Sequence, residues 1–82
     1  MSFYVYMLRS VERKIMTYVG YSSDLKRRIQ LHNQGKGAKF TRGRKWRLIY
    51  KEILGSKKAA IARECYIKKN RNFRNEIKNS NK

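Results

Sequence analysis

The stretch Tyr18-Val-Gly-Tyr-Ser-Ser-Asp-Leu-Lys-Arg-Arg-Ile-Gln-Leu-His32 changes within a few residues from a strand pattern to a helix pattern. Tyr18 to Tyr21 are aromatic, β-branched or glycine and suit a strand end. Ser22 or Ser23 can cap a helix, and Asp24 in the first turn suits the helix dipole. The expected helix runs from 24 to about 33 and packs through Leu25, Ile29 and His32. Arg28 and His32 are an i,i+4 pair, so they share one helix face. His32 is also the only histidine of the chain. Tyr18 and Gly20 sit just before them at the strand end. A phenol, a guanidinium and an imidazole gathered on a strongly basic chain suggest chemistry on phosphate.

Towards the N-terminus, residues 3–9 (Phe-Tyr-Val-Tyr-Met-Leu-Arg) are too short for a typical helix and rich in strand formers. In a strand, Tyr4 and Tyr6 share one face, and Phe3, Val5 and Met7 the other. Residues 10–14 are a polar connection and 15–21 a second strand, so the pair forms an antiparallel hairpin. Tyr6 and Tyr18 can then be neighbours, with the register left open.

Beyond the helix, Asn33-Gln-Gly-Lys-Gly-Ala-Lys-Phe-Thr-Arg-Gly-Arg-Lys45 mixes glycines with Lys36, Lys39, Arg42, Arg44 and Lys45 around Phe40. Such a loop suits contact with a phosphate backbone, or else is a solvated linker. Residues 46–53 read as a third strand, ended by Leu54-Gly55. Ser56 then caps a helix over 57–70, with an apolar stripe of Ala59, Ala62, Cys65 and Tyr66 flanked by Ala60, Ile61 and Ile67. A last short helix covers about 72–78, where Phe73 and Ile77 lie one turn apart, and 79–82 read as a frayed tail. The order β-β-α-β-α-α predicts one small α+β domain over 1–82. Its three-stranded antiparallel sheet is flanked by helices.

The 82 residues carry 22 Lys+Arg against 5 Asp+Glu, a formal +17. A charge this large implies a polyanionic partner, nucleic acid first and an anionic membrane surface second. No expected helix joins a basic face to a large aliphatic face, which disfavours the membrane. The one cysteine, Cys65, excludes an intrachain disulfide and a multi-cysteine metal site. The first residues are too short and too soon charged for a secretory signal. No run reaches membrane-spanning length, and a cytoplasmic protein is expected.

Among the five acids Glu64 stands out, because its helical neighbours Ala60, Ile61 and Ile67 are apolar. A carboxylate so placed needs a partner. Either a structural ion pair with one of the many cations or a divalent ion such as Mg2+ would serve. That ion keeps most of its waters and needs few protein oxygens. Taken singly, Arg28, His32 and the tyrosines all have ordinary readings as solvated or packing residues; the pattern has force only as a set.

That set resembles a known family. Tyr4-Val5-Tyr6, followed twelve residues later by Tyr18-Val19-Gly20, looks like the two short motifs that name the GIY-YIG nuclease superfamily. Ser23-Asp24-Leu25 resembles the turn into that family's helix, and Arg28 falls where the family has its Arg. His32 follows one turn on, and Glu64 matches the metal-binding Glu. The chain is most similar to small stand-alone bacterial members related to the nuclease domain of the UvrC repair protein. Stretches like Asn33-x-Gly35-x-Gly37-Ala38-Lys39-x-Thr41-Arg42 and Ala62-Arg63-Glu64-x-x-Ile67-Lys68-Lys69 recur in them. Tyr4 stands in place of the first Gly and Val19 in place of Ile.

The resemblance implies an endonuclease that hydrolyses phosphodiester bonds in DNA with one Mg2+ or Mn2+ ion. It implies that Tyr6 and Tyr18 line the site and that one of them takes the proton of the attacking water. Gly20 permits close backbone approach, Arg28 stabilises charge on phosphorus, and His32 orients a tyrosine or exchanges protons with it. Glu64 anchors the ion. Arg28 and the ion would favour a phenolate, whose ordinary pKa is about 10. The family also places an Asn in the site, for which Asn70, Asn72, Asn75 and Asn79 are candidates. With no recognition domain, Lys36, Lys39, Arg42, Arg44, Lys45 and Lys68 are expected to hold the nucleic acid, giving weak sequence preference and strong salt dependence. A non-catalytic nucleic-acid-binding module with the same fold is the other reading.

Overall fold

The computed structural model describes residues 2–11 and 15–80, and its elements follow the expected order. They are β1 (Phe3–Ser10), β2 (Thr17–Ser22), α1 (Leu25–Asn33), a 3-10 turn (Lys39–Thr41), β3 (Trp46–Leu54), α2 (Lys57–Lys69) and α3 (Arg71–Ser80). Part of the expected 10–14 connection and the last two residues of the expected tail lie outside the described residues. Asn79 and Ser80 continue α3, where the Ser80 hydroxyl donates to Glu76 O. The three strands form one antiparallel sheet ordered β2-β1-β3. No helix among the described residues is long and apolar enough to cross a membrane.

Because β1 is central and covered on both sides, its run Val5-Tyr6-Met7-Leu8 is buried throughout. Val5 and Met7 join Val19 beneath Ala60, Ile67 and Ile77 of α2 and α3. Tyr6 and Leu8 join Trp46 on the opposite face, against Leu25 and Ile29 of α1. β3 serves both cores through an irregularity in register: Met7 pairs with Tyr50 but Leu8 with Leu48. One extra residue reverses the alternation of side chains. Trp46 and Leu48 therefore face the α1 side, while Tyr50 and Leu54 face α2 and α3.

Two local expectations are corrected. The cap of α1 is Asp24 itself, whose carboxylate accepts from Arg27 N, rather than Ser22 or Ser23. Ser22 is used one step earlier, where its hydroxyl accepts from Asp24 N. On α2 the buried residues are Ala60 and Ile67, while Ala59, Ala62, Cys65 and Tyr66 are exposed. Three of the four residues of that stripe are Ala or Cys and bury little area, so it does not decide which way the helix rolls. The larger Ile67 does, and it turns the line Ala60–Glu64–Ile67 inward.

Opposite the α1 side, Glu52 ties the sheet to both later helices. Arg63 donates to its two carboxylate oxygens at 2.7 and 2.9 Å, and Tyr50 donates its hydroxyl. The same guanidinium lies 4.8 Å from the Tyr66 ring centroid and 5.3 Å from that of Phe73. The hydrogen bonds from Arg63 are the main reason the Glu52 carboxyl is held below its usual range.

Candidate active site

The hairpin register builds the first half of the site. Tyr6 pairs with Gly20 and Leu8 with Tyr18, so the two tyrosines are diagonal neighbours on the face that α1 covers. Their ring centroids lie 6.4 Å apart. Gly20 is there because Tyr6 lies over it. A Cβ at this position would come within 2.7 Å of the Tyr6 hydroxyl and 3.0 Å of Tyr18 Cε2.

His32 builds the second half. It is fully buried, with Nε2 2.9 Å from the Tyr6 hydroxyl and Nδ1 2.8 Å from Thr41 Oγ1. Elementary proton counting settles the directions. Thr41 Oγ1 also lies 2.8 Å from Ala38 O, which can only accept. The threonine proton is thus committed to that carbonyl, and His32 Nδ1–H donates to Thr41. The pKa of His32 is lowered, first by burial and then by Arg28, so the ring is neutral and Nε2 is an acceptor. Tyr6 therefore donates its hydroxyl proton to His32. A chain runs from Tyr6 through His32 and Thr41 to Ala38 O, and it points the basic nitrogen at the phenol.

Tyr6 itself is pushed up to about 12, chiefly by burial, against a lowering by Arg28. Without an ion, desolvation outweighs the guanidinium. Arg28 is half-buried and near enough to act on both Tyr6 and His32. Among the described residues its buried Nε has no hydrogen-bond partner. A donor so placed, on a cation that does not lose its proton, is ready for an anion.

Glu64 comes from α2, and its charge reaches Tyr6. Its side chain is 18% exposed and pairs with Lys68 Nζ at 3.0 Å. Lys68 Nζ also lies 6.0 Å from the Tyr18 ring centroid, so the pair borders the tyrosines. No group of three or more His, Cys, Asp or Glu that could hold a metal occurs among the described residues. A single carboxylate still fits a hard ion that keeps its water and shares phosphate oxygens. Here the Lys68 ammonium already stands in for a cation on it.

The loop after α1 is less open than its composition implies. Thr41 is fully buried, its carbonyl accepts from the Trp46 indole, and the Asn33 side chain bonds Trp46 N and O. Lys36, Lys39, Arg42 and Lys45 are exposed around this anchored segment. Arg44 is half-buried, 5.9 Å from the Phe40 ring centroid, and Phe40 stacks on Tyr18 at 6.3 Å. Asn70 caps α3 through Phe73 N and donates to the Tyr66 hydroxyl, while Asn72, Asn75 and Asn79 are exposed. The residues that sequence reasoning missed are Thr41 and Gly37. Both stand in the recurring stretch Asn33-x-Gly35-x-Gly37-Ala38-Lys39-x-Thr41-Arg42, which was their one signal, but that stretch assigns them no contact with His32.

Gly37 packs directly on the imidazole: a Cβ there would collide with His32 Nδ1 and leave Cε1 at 2.9 Å. Gly37→Ala is expected to cost about 1–3 kcal/mol through overpacking. At roughly 4–8 °C per kcal/mol for a domain of this size, a thermal melt would report it. An unchanged melt would mean that the loop yields freely.

Known proteins share this arrangement of elements. The GIY-YIG catalytic domain matches residues 2–78. A UPF0213 protein of Streptococcus pyogenes serotype M3 is 46% identical over 67 residues, 80% of this chain and 71% of the relative. Another, from serotype M5, is 45% identical over the same shares. The solution NMR structure of a UPF0213 protein from Bacillus halodurans has a TM-score of 0.53 and 38% identity, covering 100% of this chain and 86% of the other. With this match spanning both tyrosines, Arg28, His32 and Glu64, the chain belongs to the GIY-YIG catalytic domain family, which is a family of nuclease domains.

Proposed function

We propose that this protein is a metal-dependent endonuclease that hydrolyses phosphodiester bonds in DNA with low sequence specificity. The observation that carries the reading is the proton chain from Tyr6 to His32, set between the unpaired Arg28 Nε and the Glu64 carboxylate. A phenol pushed up to about 12 is a poor base alone. One that hands its proton to His32 Nε2 as it takes a proton from the attacking water never has to exist as a free phenolate. The water oxygen adds to phosphorus as the bond from phosphorus to the departing sugar oxygen breaks; the water proton passes to Tyr6, the Tyr6 proton passes to His32, and the departing oxygen takes a proton from solvent. Arg28 donates to the non-bridging oxygens as their charge grows. Thr41 keeps His32 in the tautomer that can receive.

One divalent ion, Mg2+ or Mn2+, on Glu64 would supply Lewis-acid stabilisation of the phosphate and the departing oxygen. Tyr18 borders the same space through its contacts with Tyr6 and His32. Gly20 keeps the sheet low beneath it. The exposed cations Lys36, Lys39, Arg42 and Lys45, with Arg44 and Lys68, would hold the backbone without reading bases.

The test is cleavage of labelled single-stranded, duplex and branched DNA, and of RNA, with and without Mg2+ or Mn2+. Metal-dependent products from DNA support the reading. Binding without cleavage of any substrate would make the chain a nucleic-acid-binding module instead. Arg42→Ala should weaken binding about equally for unrelated sequences and lower the slope of log K against log salt by roughly one. A sequence-selective loss would mean base readout by the loop.

A further inference from the structure

Glu64 and Lys68 sit one turn apart on α2, and their ion pair occupies the carboxylate that the proposed function gives to a metal ion. The Glu64 side chain is 18% exposed and the Lys68 side chain 49%. The acid is held in place between Ala60 and Ile67, whereas the lysine has a long flexible stem in solvent. Lys68 Nζ is also poised 6.0 Å from the Tyr18 ring centroid, at the border of the space that Tyr6, Tyr18 and Arg28 surround. Lys68 Nζ sits on Glu64 Oε1, and its charge repels a divalent cation brought to the same carboxylate, so it weakens ion binding there. A phosphate oxygen, by contrast, is as good a partner for Lys68 as Glu64 is.

We infer that Lys68 couples metal binding to nucleic-acid binding, acting as a positioning residue that changes partners. In the free protein it neutralises Glu64 and weakens the binding of divalent ions. When a nucleic-acid backbone enters, Lys68 moves to a phosphate near Tyr18 and releases the carboxylate. The ion then binds between Glu64 and the substrate. Coupling is reciprocal, so the ion also strengthens nucleic-acid binding by the same factor. The consequence is a nuclease site that holds its ion more tightly on substrate than off it. This inference rests on the metal assignment above but not on catalysis.

Mn2+ binding followed by electron paramagnetic resonance tests it on the full chain. Lys68→Met should tighten Mn2+ on the free protein by about tenfold, within the usual span of coupling factors. Lys69→Met removes the same charge one residue away and controls for the general field; it should change the affinity far less. Duplex DNA should tighten Mn2+ on Tyr6→Phe protein, where the DNA survives the measurement, once the ion bound by DNA alone is subtracted. In the Tyr6→Phe, Lys68→Met double variant the DNA-induced gain should largely vanish. Equal affinities for the Lys68 and Lys69 variants would overturn the inference. A Glu64→Gln protein that binds Mn2+ as the wild type does would overturn both the inference and the metal assignment. Coupling without cleavage by the wild type would leave the inference standing and remove the nuclease reading.

Discussion

Tyr6→Phe is expected to reduce cleavage by roughly 10²–10⁴-fold, the usual worth of a positioned proton-transfer group, with little change in nucleic-acid affinity. The substitution keeps the ring that fills the space over Gly20 and removes only the hydroxyl that His32 receives from. His32 Nε2 is left without its partner, at a cost of about 1–3 kcal/mol in stability. A protein that stays folded at the assay temperature and still binds DNA, but no longer cuts it, places the loss on chemistry. If Tyr6→Phe cuts at the wild-type rate, the proton chain is not the route and Tyr18 becomes the candidate. The same chain predicts a pH profile. His32 must be neutral to receive, and burial lowers its pKa from the ordinary 6.5. Activity should therefore hold down to below pH 6.5 before its acid limb falls. Folding stability behaves consistently: as pH drops below 6.5 the unfolded chain takes a proton that the folded one refuses, and stability declines until the lower folded value is passed.

Glu64→Ala is the second large effect. Loss of an anchored ion removes several kcal/mol of charge stabilisation at phosphorus, and each 1.36 kcal/mol is tenfold in rate. Cleavage should thus fall by roughly three orders of magnitude. Measured without divalent ions, DNA affinity should hold or rise, because a negative charge leaves a site built for phosphate and Lys68 is freed from its pair. Persisting metal-dependent cleavage in this variant would show that the ion is held elsewhere.

Particular residues show how far the reading from sequence reached. β-branched and aromatic runs announced three strands, and the change of period at Ser22–Leu25 announced α1, because local alternation follows from backbone geometry. The i,i+4 spacing of Arg28 and His32 put them on one face by the same geometry. The cap, expected on Ser22 or Ser23, falls on Asp24, since three neighbouring side chains compete for the same amides and only the final backbone path chooses. The inward face of α2 was misjudged because its small residues carry too little apolar area to set the roll of the helix.

By itself, then, the amino-acid sequence determined the element order, the basic surface and the membership of Tyr6, Tyr18, Arg28, His32 and Glu64 in one pattern. The first two are matters of composition and of short-range periodicity, and the third is what the resemblance to the GIY-YIG family implies. Tertiary structure alone decided what these groups do to one another. The register that sets Tyr6 over Gly20, and the return of the loop that brings Thr41 onto His32, both depend on contacts between distant segments. From them follow the tautomer of His32 and the raised pKa of Tyr6, while the packing of α2 brings the local Glu64–Lys68 pair beside Tyr18. Burial and proton direction depend on which groups surround an atom in space, and no local pattern in the chain encodes that.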